Sequence, residues 1–347
     1  MLIVFYISGH GFGHASRSIE VINALVDRRP DVEVVARTQV APWLFERTAR
    51  PEVRLEPLAC DTGVVQIDSL HLDAPQTLQR ARAFMQDFPA RVATESARLR
   101  DLSASLVVSD IPALGIAAAT AVGIPAVAFG NFTWDWIYAG YETGEDLAAT
   151  LGEIYRHTTR ALRLPMWGGF STMTDVRDLP FVARRSTIDR DRVRRTLGFT
   201  ATEHIALVSF GGYGVHLDQA ALSAVDGWRI LSPETFDESS LCDHGFRYED
   251  LVGAVDVVVT KPGYGIVSEC LANRTALLYT SRGKFAEYDV LVSAMPRFLR
   301  CAFIGHDDLF AGRWQQHLDA ILDQPAPPDR PATNGADVAA SALLEMV

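Results

Sequence analysis

The stretch from Tyr6 to Ser18 has the sequence YISGHGFGHASRS, and the interpretation of the whole chain starts from it. It overlaps the apolar run Leu2–Ile7, which has the length and composition of a buried β-strand. Glycines let a backbone come close to a ligand, and the start of a helix favours an anion. A strand, a glycine loop and a helix in this order predict the first binding loop of an α/β sheet.

The glycine spacing argues against a dinucleotide-binding loop. Gly9, Gly11 and Gly13 place the third glycine one residue too early for G-x-G-x-x-G. No acidic residue closes the next predicted strand, Val32–Val35, where such a loop would need one for the ribose. The loop instead carries histidines, and His14 lies where it joins the helix. We therefore interpret it as a substrate-binding loop that contains an imidazole.

The composition is that of a globular protein with an excess of acidic residues. The 347 residues are 48% hydrophobic and 22% charged, and the formal net charge is −11. This balance disfavours a nucleic acid or an anionic membrane as a partner. The length is sufficient for two domains, each with its own core.

Cysteine usage and the amino terminus predict a cytoplasmic protein. Cys60, Cys242, Cys270 and Cys301 lack zinc-site spacing, and we expect them to be free thiols in a reducing compartment. The first apolar run has no basic flank and no cleavage site, so we expect a strand and not a signal peptide. No apolar stretch has the length of a membrane span.

Strand-like and helical segments alternate along the chain, which predicts parallel sheets with helices on both faces. In the first half, the strand Leu106–Val108 is followed by an alanine-rich helix. The alternation begins again with the strand Ile205–Phe210. We expect two similar doubly wound domains, 1–185 and 195–325, and a final helix within 333–347 after a proline-rich connector.

Ligands of open parallel sheets bind beyond the carboxyl ends of the strands, so polar residues there are the candidates. Asp110 ends one strand, and we expect its carboxylate to accept a hydrogen bond from Nδ1 of His14. Such a bond fixes the imidazole tautomer and stabilises the protonated ring. The pair predicts a general base acting on a hydroxyl group; a turn-forming Asp and a packing His are the structural alternatives.

Two glycine loops follow strands in the second half. Phe210–Gly214 can hold a phosphate with backbone N–H groups, and Gly263 and Gly265 precede a helix that carries Glu269. A carboxylate there can accept hydrogen bonds from ribose hydroxyls. The structural alternative is an acidic residue that complements the helix dipole.

The segment NFTWDWIYAGY follows another predicted strand and brings Asn131, Trp134 and Asp135 toward the ligand edge. Aromatic side chains stack on sugar faces, and Asn and Asp form hydrogen bonds with hydroxyl groups. A buried aromatic helix is an equally weighted alternative for this segment.

These features together resemble the GT-B glycosyltransferases of families 1 and 28. The carboxyl half is similar to the bacterial UDP-N-acetylglucosamine transferase of peptidoglycan assembly. The resemblance is strongest to the glycosyltransferase-like amino-terminal region of L-arabinokinases, and four stretches that span nearly the whole chain carry it: SGHGFGHASR, LVVSDIPALGIAAATAVGIPAVAFGNFTWDWIYAGY, KPGYGIVSECL and NGADVAASALLE. We expect the kinase domain of those proteins to be absent from this chain, which ends at Val347.

The resemblance implies two Rossmann-like domains that face a cleft, with the helix of 333–347 crossing back onto the first domain. It implies an acceptor in the first domain and a nucleotide sugar in the second, with Phe246 near the base and Glu269 on the ribose. The sugar-binding loop has Ala286–Asp289 where relatives carry Asp-Gln or Gln-Gln, so the donor sugar stays open.

The candidate site residues form three sets. The residues expected to be catalytic are His14 and Asp110. Those expected to bind the donor are Gly211, Gly212, Tyr213, Phe246, Arg247, Lys261, Gly263, Gly265, Glu269, Arg282 and Glu287. Those expected in an acceptor or phosphate loop are His10, Gly11, Gly13, Arg17, Asn131, Trp134 and Asp135. We expect neither a metal nor a cofactor.

The sequence therefore predicts an inverting, metal-independent glycosyltransferase with His14 as general base, and a UDP-sugar is the favoured donor. The expected partners are a nucleotide sugar and a small-molecule acceptor, and a homodimer is left open. Two alternatives remain: a sugar-nucleotide binding or sensing protein without transfer activity, and a sugar-nucleotide epimerase on the same fold.

Overall fold

The computed structural model describes residues 1–211 and 214–347. The strands of the first half are β1 (Leu2–Ile7), β2 (Glu33–Thr38), β3 (Arg54–Pro57), β4 (Val65–Gln66), β5 (Leu72–Asp73), β6 (Leu106–Asp110), β7 (Ala126–Phe132), β8 (Arg160–Gly168) and β9 (Val176–Asp178). The helices are α1 (Gly13–Arg28), α2 (Pro42–Thr48), α3 (Ala74–Gln86), α4 (Phe88–Asp101), α5 (Ala113–Val122), α6 (Trp134–Ala139) and α7 (Glu145–Tyr155).

Seven of these strands form one parallel sheet in the order β3-β2-β1-β6-β7-β8-β9. Strand β1 is central and fully buried, because helices cover both faces of the sheet. Phe5 and Ile7 join the core cluster on one face, and Val4 and Tyr6 join the cluster on the other. Helices α3 and α4 are consecutive but separate, since Pro89 lies in the first turn of a new helix.

The second half forms a parallel sheet of five strands. Its elements are α8 (Arg190–Thr196), β10 (His204–Val208), α9 (Gln219–Ser223), β11 (Trp228–Leu231), α10 (Ser240–Asp243), α11 (Tyr248–Ala254), β12 (Val257–Thr260), α12 (Tyr264–Asn273), β13 (Ala276–Tyr279), α13 (Ala286–Ala294), β14 (Cys301–Phe303), α14 (His306–Phe310) and α15 (Gln315–Leu322). The strand order is β11-β10-β12-β13-β14. Two doubly wound units are thus present, as the alternation of elements predicts.

The last helix, α16 (Gly335–Leu344), returns to the first domain, as expected from the resemblance. It packs on α1, where Arg28 donates to Asp337 and to Ser341, each at 2.8 Å. The start of the helix pairs with the segment that follows β9: the N–H of Gly335 donates to the carbonyl of Phe181 at 2.9 Å. None of the described helices is long and apolar enough to span a bilayer.

The close contact at Gly335 gives a test of this crossing. A Cβ at this position would lie 2.2 Å from the carbonyl oxygen of Pro180, so we expect Gly335→Ala to destabilise the protein by about 1–3 kcal/mol. A Cβ at Gly253 in α11 would have no neighbour nearer than 3.4 Å, so Gly253→Ala is the matched control and should be neutral or stabilising. Urea unfolding measures both, and equal effects would contradict the crossing.

Candidate functional site

The first site loop follows β1, and the neighbouring strand β6 ends beside it. Ile7 and Asp110 are register partners, and the N–H of Ser8 donates to the carbonyl of Asp110 at 2.8 Å. The side chains that follow these two strand ends therefore emerge at the same edge of the sheet. This register places α1, which begins at Gly13, over the end of β6.

Asp110 is fully buried and is surrounded by hydrogen-bond donors. Its Oδ1 lies 2.8 Å from Nδ1 of His14, and its Oδ2 accepts from Nε of Arg17 and from Oγ of Ser18, each at 2.8 Å. Burial opposes ionisation, but the charges of Arg17 and His14 outweigh it and lower the pKa of Asp110 to about 2. The carboxylate is therefore ionised at neutral pH.

His14 shows the geometry of an oriented imidazole. Nδ1 lies 2.8 Å from Oδ1 of Asp110 and 2.9 Å from Nη2 of Arg17; the carboxylate requires a proton on Nδ1, whereas the guanidinium can only donate. With the proton on Nδ1 directed at the carboxylate, Nε2 remains an acceptor, and no described residue donates to it. The ring packs against Phe132 and Trp134, with centroids 5.4 and 6.4 Å away. The arrangement can accept a proton at Nε2 and stabilise the resulting positive charge.

Arg17 is expected in an acceptor or phosphate loop, and in the structure its guanidinium is engaged within the first domain. Besides Asp110, its Nη1 donates to Oδ1 of Asn131 at 2.5 Å. The side chain is buried, and the ring of Tyr264 from the second domain lies 5.4 Å from its Cζ. Arg17 thus acts as the counter-ion of Asp110 in this structure.

A second carboxyl group, that of Asp61, lies near His14 and was not predicted from the sequence. Asp61 accepts hydrogen bonds from Oγ of Ser8 at 3.0 Å and from Nε1 of Trp134 at 2.8 Å. Burial raises its pKa, although the charge of His14 opposes that shift. Asp61 lies in a segment with no strand or glycine pattern, so the sequence offers no signal for it.

Trp134 and Asp61 also line an apolar cavity in the first domain. The other lining residues are Cys60, Thr62, Ala81, Phe84, Met85, Phe88, Ala113, Leu114, Tyr138, Leu147 and Leu151. Asp135, one residue further along α6, faces α7 instead, because a Cβ at Gly152 would lie 3.7 Å from its Oδ2. The structure therefore brings Trp134 toward His14 and directs Asp135 away.

Cationic side chains from the second domain face this edge. Lys261 directly follows β12, and Arg282 follows β13. Burial, with the charge of Arg282, lowers the pKa of Lys261 to about 8. Burial and the charges of Arg282, His14 and Lys261 lower the pKa of His10 well below its ordinary value. The buried Nε of Arg282 has no partner among the described residues, so its N–H can donate a hydrogen bond to a bound anion.

A hairpin arm, which we define as β4, β5 and the residues 67–71 between them, reaches from the first domain across the cleft. Oγ of Ser69 donates to the carbonyl of Gly214 at 2.6 Å, and Nζ of Lys261 donates to Oε1 of Gln66 at 3.3 Å. Leu70 is buried in the core cluster of the second domain. No strand or turn pattern in the sequence predicts this arm.

The glycine loops of the two domains meet. A Cβ at Gly265 would lie 3.4 Å from Cα of Gly13, so only small residues permit this approach. Gly11 and Gly211 have φ values of +71° and +73°, which glycine adopts without strain. Gly263 is the N-cap of α12. The expected donor residues Gly212 and Tyr213 lie outside the described residues.

The expected nucleoside-binding residues are Glu269, within α12, and Phe246 and Arg247, just before α11. Nε of Arg184 donates to Glu269 at 2.6 Å, and both side chains are largely buried. Burial raises the pKa of Glu269, and Arg184 opposes that shift. Phe246 is buried, whereas the side chain of Arg247 is 53% exposed. The role of Glu269 on a ribose stays a prediction, and the carboxylate has an ionic partner already.

No protein-family profile matches the chain. An L-arabinokinase of Arabidopsis thaliana is 29% identical over 359 aligned residues, which include 99% of this chain. The chain spans about a third (34%) of the length of that relative.

Solved structures of glycosyltransferases align with nearly the whole chain. The glycotransferase of kitacinnamycin gives a TM-score of 0.61 at 16% identity, covering 98% of this chain and 95% of its own. The Phytolacca americana UGT2, complexed with UDP-2-fluoroglucose and pterostilbene, gives 0.62 at 13% identity, covering 99% and 94%. MurG of Acinetobacter baumannii gives 0.52 at 11% identity, covering 99% of both chains.

The chain has the GT-B fold. In this GT-B chain, the carboxyl edges of both sheets carry the candidate residues. His14, Asp110, Arg17 and Asn131 form one connected group, and Glu287 joins it from the second domain because its Oε1 accepts from Nδ2 of Asn131 at 2.8 Å.

The importance of Asp110 for the fold can be tested. Asp110→Asn leaves the buried Arg17 without its counter-ion, so we expect a loss of about 3–5 kcal/mol in the free energy of unfolding. Because the pKa of Asp110 is lowered from 3.8 to about 2, its contribution is complete above about pH 4 and is lost as pH falls toward 2.

The matched control is Asp337→Asn, which removes the same charge from the exposed pair with Arg28. That change should cost less than about 1 kcal/mol. Chemical unfolding at pH 7 and at pH 3 distinguishes the two variants. An effect of Asp110→Asn no larger than that of the control would contradict the assignment.

Proposed function

We propose that this chain is a glycosyltransferase that moves a sugar from a nucleotide diphosphate sugar, with UDP-sugar as the favoured donor, to a hydroxyl group of an acceptor. The observation that supports this most is the oriented imidazole of His14 on one side of the cleft, with Lys261 and Arg282 on the other. Some solved proteins of this fold are complexed with UDP, UDP-glucose or dTDP. This agrees with a nucleotide donor.

In the proposed reaction, Nε2 of His14 removes the proton from the acceptor hydroxyl. The acceptor oxygen attacks the anomeric carbon from the face opposite the diphosphate, and the bond to the diphosphate oxygen breaks with inversion. Asp110 stabilises the imidazolium that forms. The negative charge on the departing diphosphate is met by Lys261, Arg282 and the backbone N–H groups at the start of α12.

These residues provide charge stabilisation without a metal ion, and we propose a metal-independent reaction. The acceptor binds in the first domain, near Trp134 and the apolar cavity that Trp134 and Asp61 help to line. A reducing, cytoplasmic location is part of the proposal, and the free state of all four cysteines supports it.

The role of the base is tested by His14→Ala. We expect the rate of sugar transfer to fall by a factor of about 10²–10⁴, because the acceptor proton loses its positioned acceptor. His157→Ala, which changes an exposed histidine at the end of α7, is the control. Mass spectrometry of the products, with a panel of UDP-sugars and hydroxyl acceptors, measures transfer.

The same product analysis distinguishes the proposal from its alternatives. A glycosylated acceptor and free UDP are expected. An isomeric sugar nucleotide would indicate an epimerase, and binding without any product would indicate a sensing protein. Transfer by His14→Ala at the wild-type rate would remove His14 from the base role.

The cationic side of the cleft predicts a pH dependence of donor binding. Lys261 carries its charge below its pKa of about 8 and loses it above, so we expect UDP affinity to weaken above pH 8 by up to about tenfold per pH unit. The Lys261→Gln variant should bind UDP more weakly at pH 7. Its affinity should change with pH only to the extent that the nucleotide itself titrates.

Lys261→Arg supplies a second comparison, because a guanidinium keeps its charge over this range. Calorimetric titration between pH 7 and 9 measures the affinities. If the wild-type and Lys261→Gln proteins showed parallel pH profiles, Lys261 would not contact the diphosphate.

A further inference from the structure

A continuous chain of polar contacts crosses the cleft from the imidazole to the donor-side cation. Within the first domain it runs from His14 through Asp110 and Arg17 to Asn131, with hydrogen bonds of 2.5–2.8 Å. Nδ2 of Asn131 then donates to Oε1 of Glu287 at 2.8 Å, which is the step between the domains. Every member of this chain is buried.

Glu287 continues the chain to the second cation. Its Oε2 lies 3.7 Å from Nη1 of Arg282, whose Nη1 also donates to the carbonyl of Pro262 at 3.3 Å. The guanidinium lies over the ring of Phe285, 4.3 Å from its centroid. Glu287 therefore holds Arg282 in place with one oxygen and contacts the first domain with the other.

The chemistry of the neighbours fixes the orientation of the Asn131 amide. Arg17 can only donate, so it requires the amide oxygen, and an ionised Glu287 can only accept, so it requires the amide nitrogen. A carboxylate at position 131 would satisfy Arg17 but repel Glu287. The step between the domains thus depends on an amide at this position.

We propose that Asn131 and Glu287 are a positioning pair that links closure of the cleft to the orientation of His14. When the second domain closes, Glu287 contacts Asn131, which holds Arg17 against Asp110 and so keeps the carboxylate aligned with the imidazole. The same closure brings Arg282 to the diphosphate. The catalytic part of this inference rests on the proposed transferase function, whereas the closing contact does not.

This assignment differs from the role that the family resemblance implies for Glu287. Both of its carboxylate oxygens are directed at protein groups, Asn131 and Arg282, rather than left for a sugar hydroxyl. Glu287 is then a positioning residue.

An exchange of the two functional groups tests the pair. Asn131→Asp places two carboxylates face to face, so we expect kcat to fall roughly ten- to hundredfold, with a much smaller change in the acceptor KM. The double variant Asn131→Asp/Glu287→Gln restores a donor opposite an acceptor, since the glutamine amide donates to the new carboxylate. Its kcat should recover to within about fivefold of the wild-type value.

The pH profile of kcat separates positioning from a general loss of structure. The single variant adds one negative charge to the chain that ends at His14, so the acid limb of the profile should move to higher pH. The double variant has the wild-type number of charges but carries one of them at position 131 instead of 287, so its acid limb should lie between those of the wild type and the single variant. A double variant no more active than Asn131→Asp, or an unmoved acid limb in the single variant, would overturn the proposal.

Domain closure provides a readout that does not need transfer activity. Small-angle X-ray scattering should show a larger radius of gyration for Asn131→Asp and the wild-type value for the double variant. If the wild-type protein transfers no sugar, the proposed function fails. The comparison of the radii of gyration still tests whether Asn131 and Glu287 hold the domains together. Equal radii for all three proteins would overturn the contact.

A second pair of variants applies if Asn131→Asp does not fold. Glu287→Ala removes the partner of Asn131 from the second domain, whereas Glu287→Gln keeps an oxygen that accepts from Nδ2. We expect Glu287→Ala to open the cleft. We expect its kcat to be at least about tenfold lower than that of Glu287→Gln. Equal losses and equal radii would contradict the pair.

Discussion

The ionised carboxylate of Asp110, which has no contact with solvent, requires several hydrogen-bond donors around it. Arg17, His14 and Ser18 supply them from one face of α1, and this requirement fixes how the helix lies over the end of β6. The orientation of the imidazole therefore follows from the stability of the fold. A substitution at Asp110 changes folding and chemistry together, so His14 is the better position at which to isolate the chemical step.

The cleft places opposite kinds of chemistry on its two walls. The first domain provides an imidazole with a free nitrogen, an apolar cavity and a second carboxyl group, Asp61. The second domain provides Lys261 and Arg282, whose positive charges add to the effect of burial in lowering the pKa of nearby His10. In the proposed function, an acceptor hydroxyl on one wall and a diphosphate on the other would satisfy both sets of groups.

The sequence predicts the parts of this site that depend on strand ends. Adjacent parallel strands end at one edge, so the contact of His14 with Asp110 and the positions of Lys261 and Arg282 follow from locating β1, β6, β12 and β13. The hairpin arm, Asp61 and the pairing of Arg184 with Glu269 join segments far apart in the chain that have no periodic pattern. The role of Arg17 within the acceptor or phosphate loop stays open in the sequence, because a sequence shows a charge but not the partner that folding gives it.

The central claim is that a nucleoside diphosphate binds between these walls, and its most direct measurement is thermal unfolding with UDP, GDP, dTDP and their sugars. At one hundred times its dissociation constant, a ligand adds about 2.7 kcal/mol to stability. We expect at least one of these nucleotides to raise the Tm of the wild-type protein, and the shift to shrink in Arg282→Ala. A Tm that none of them changes would contradict the account.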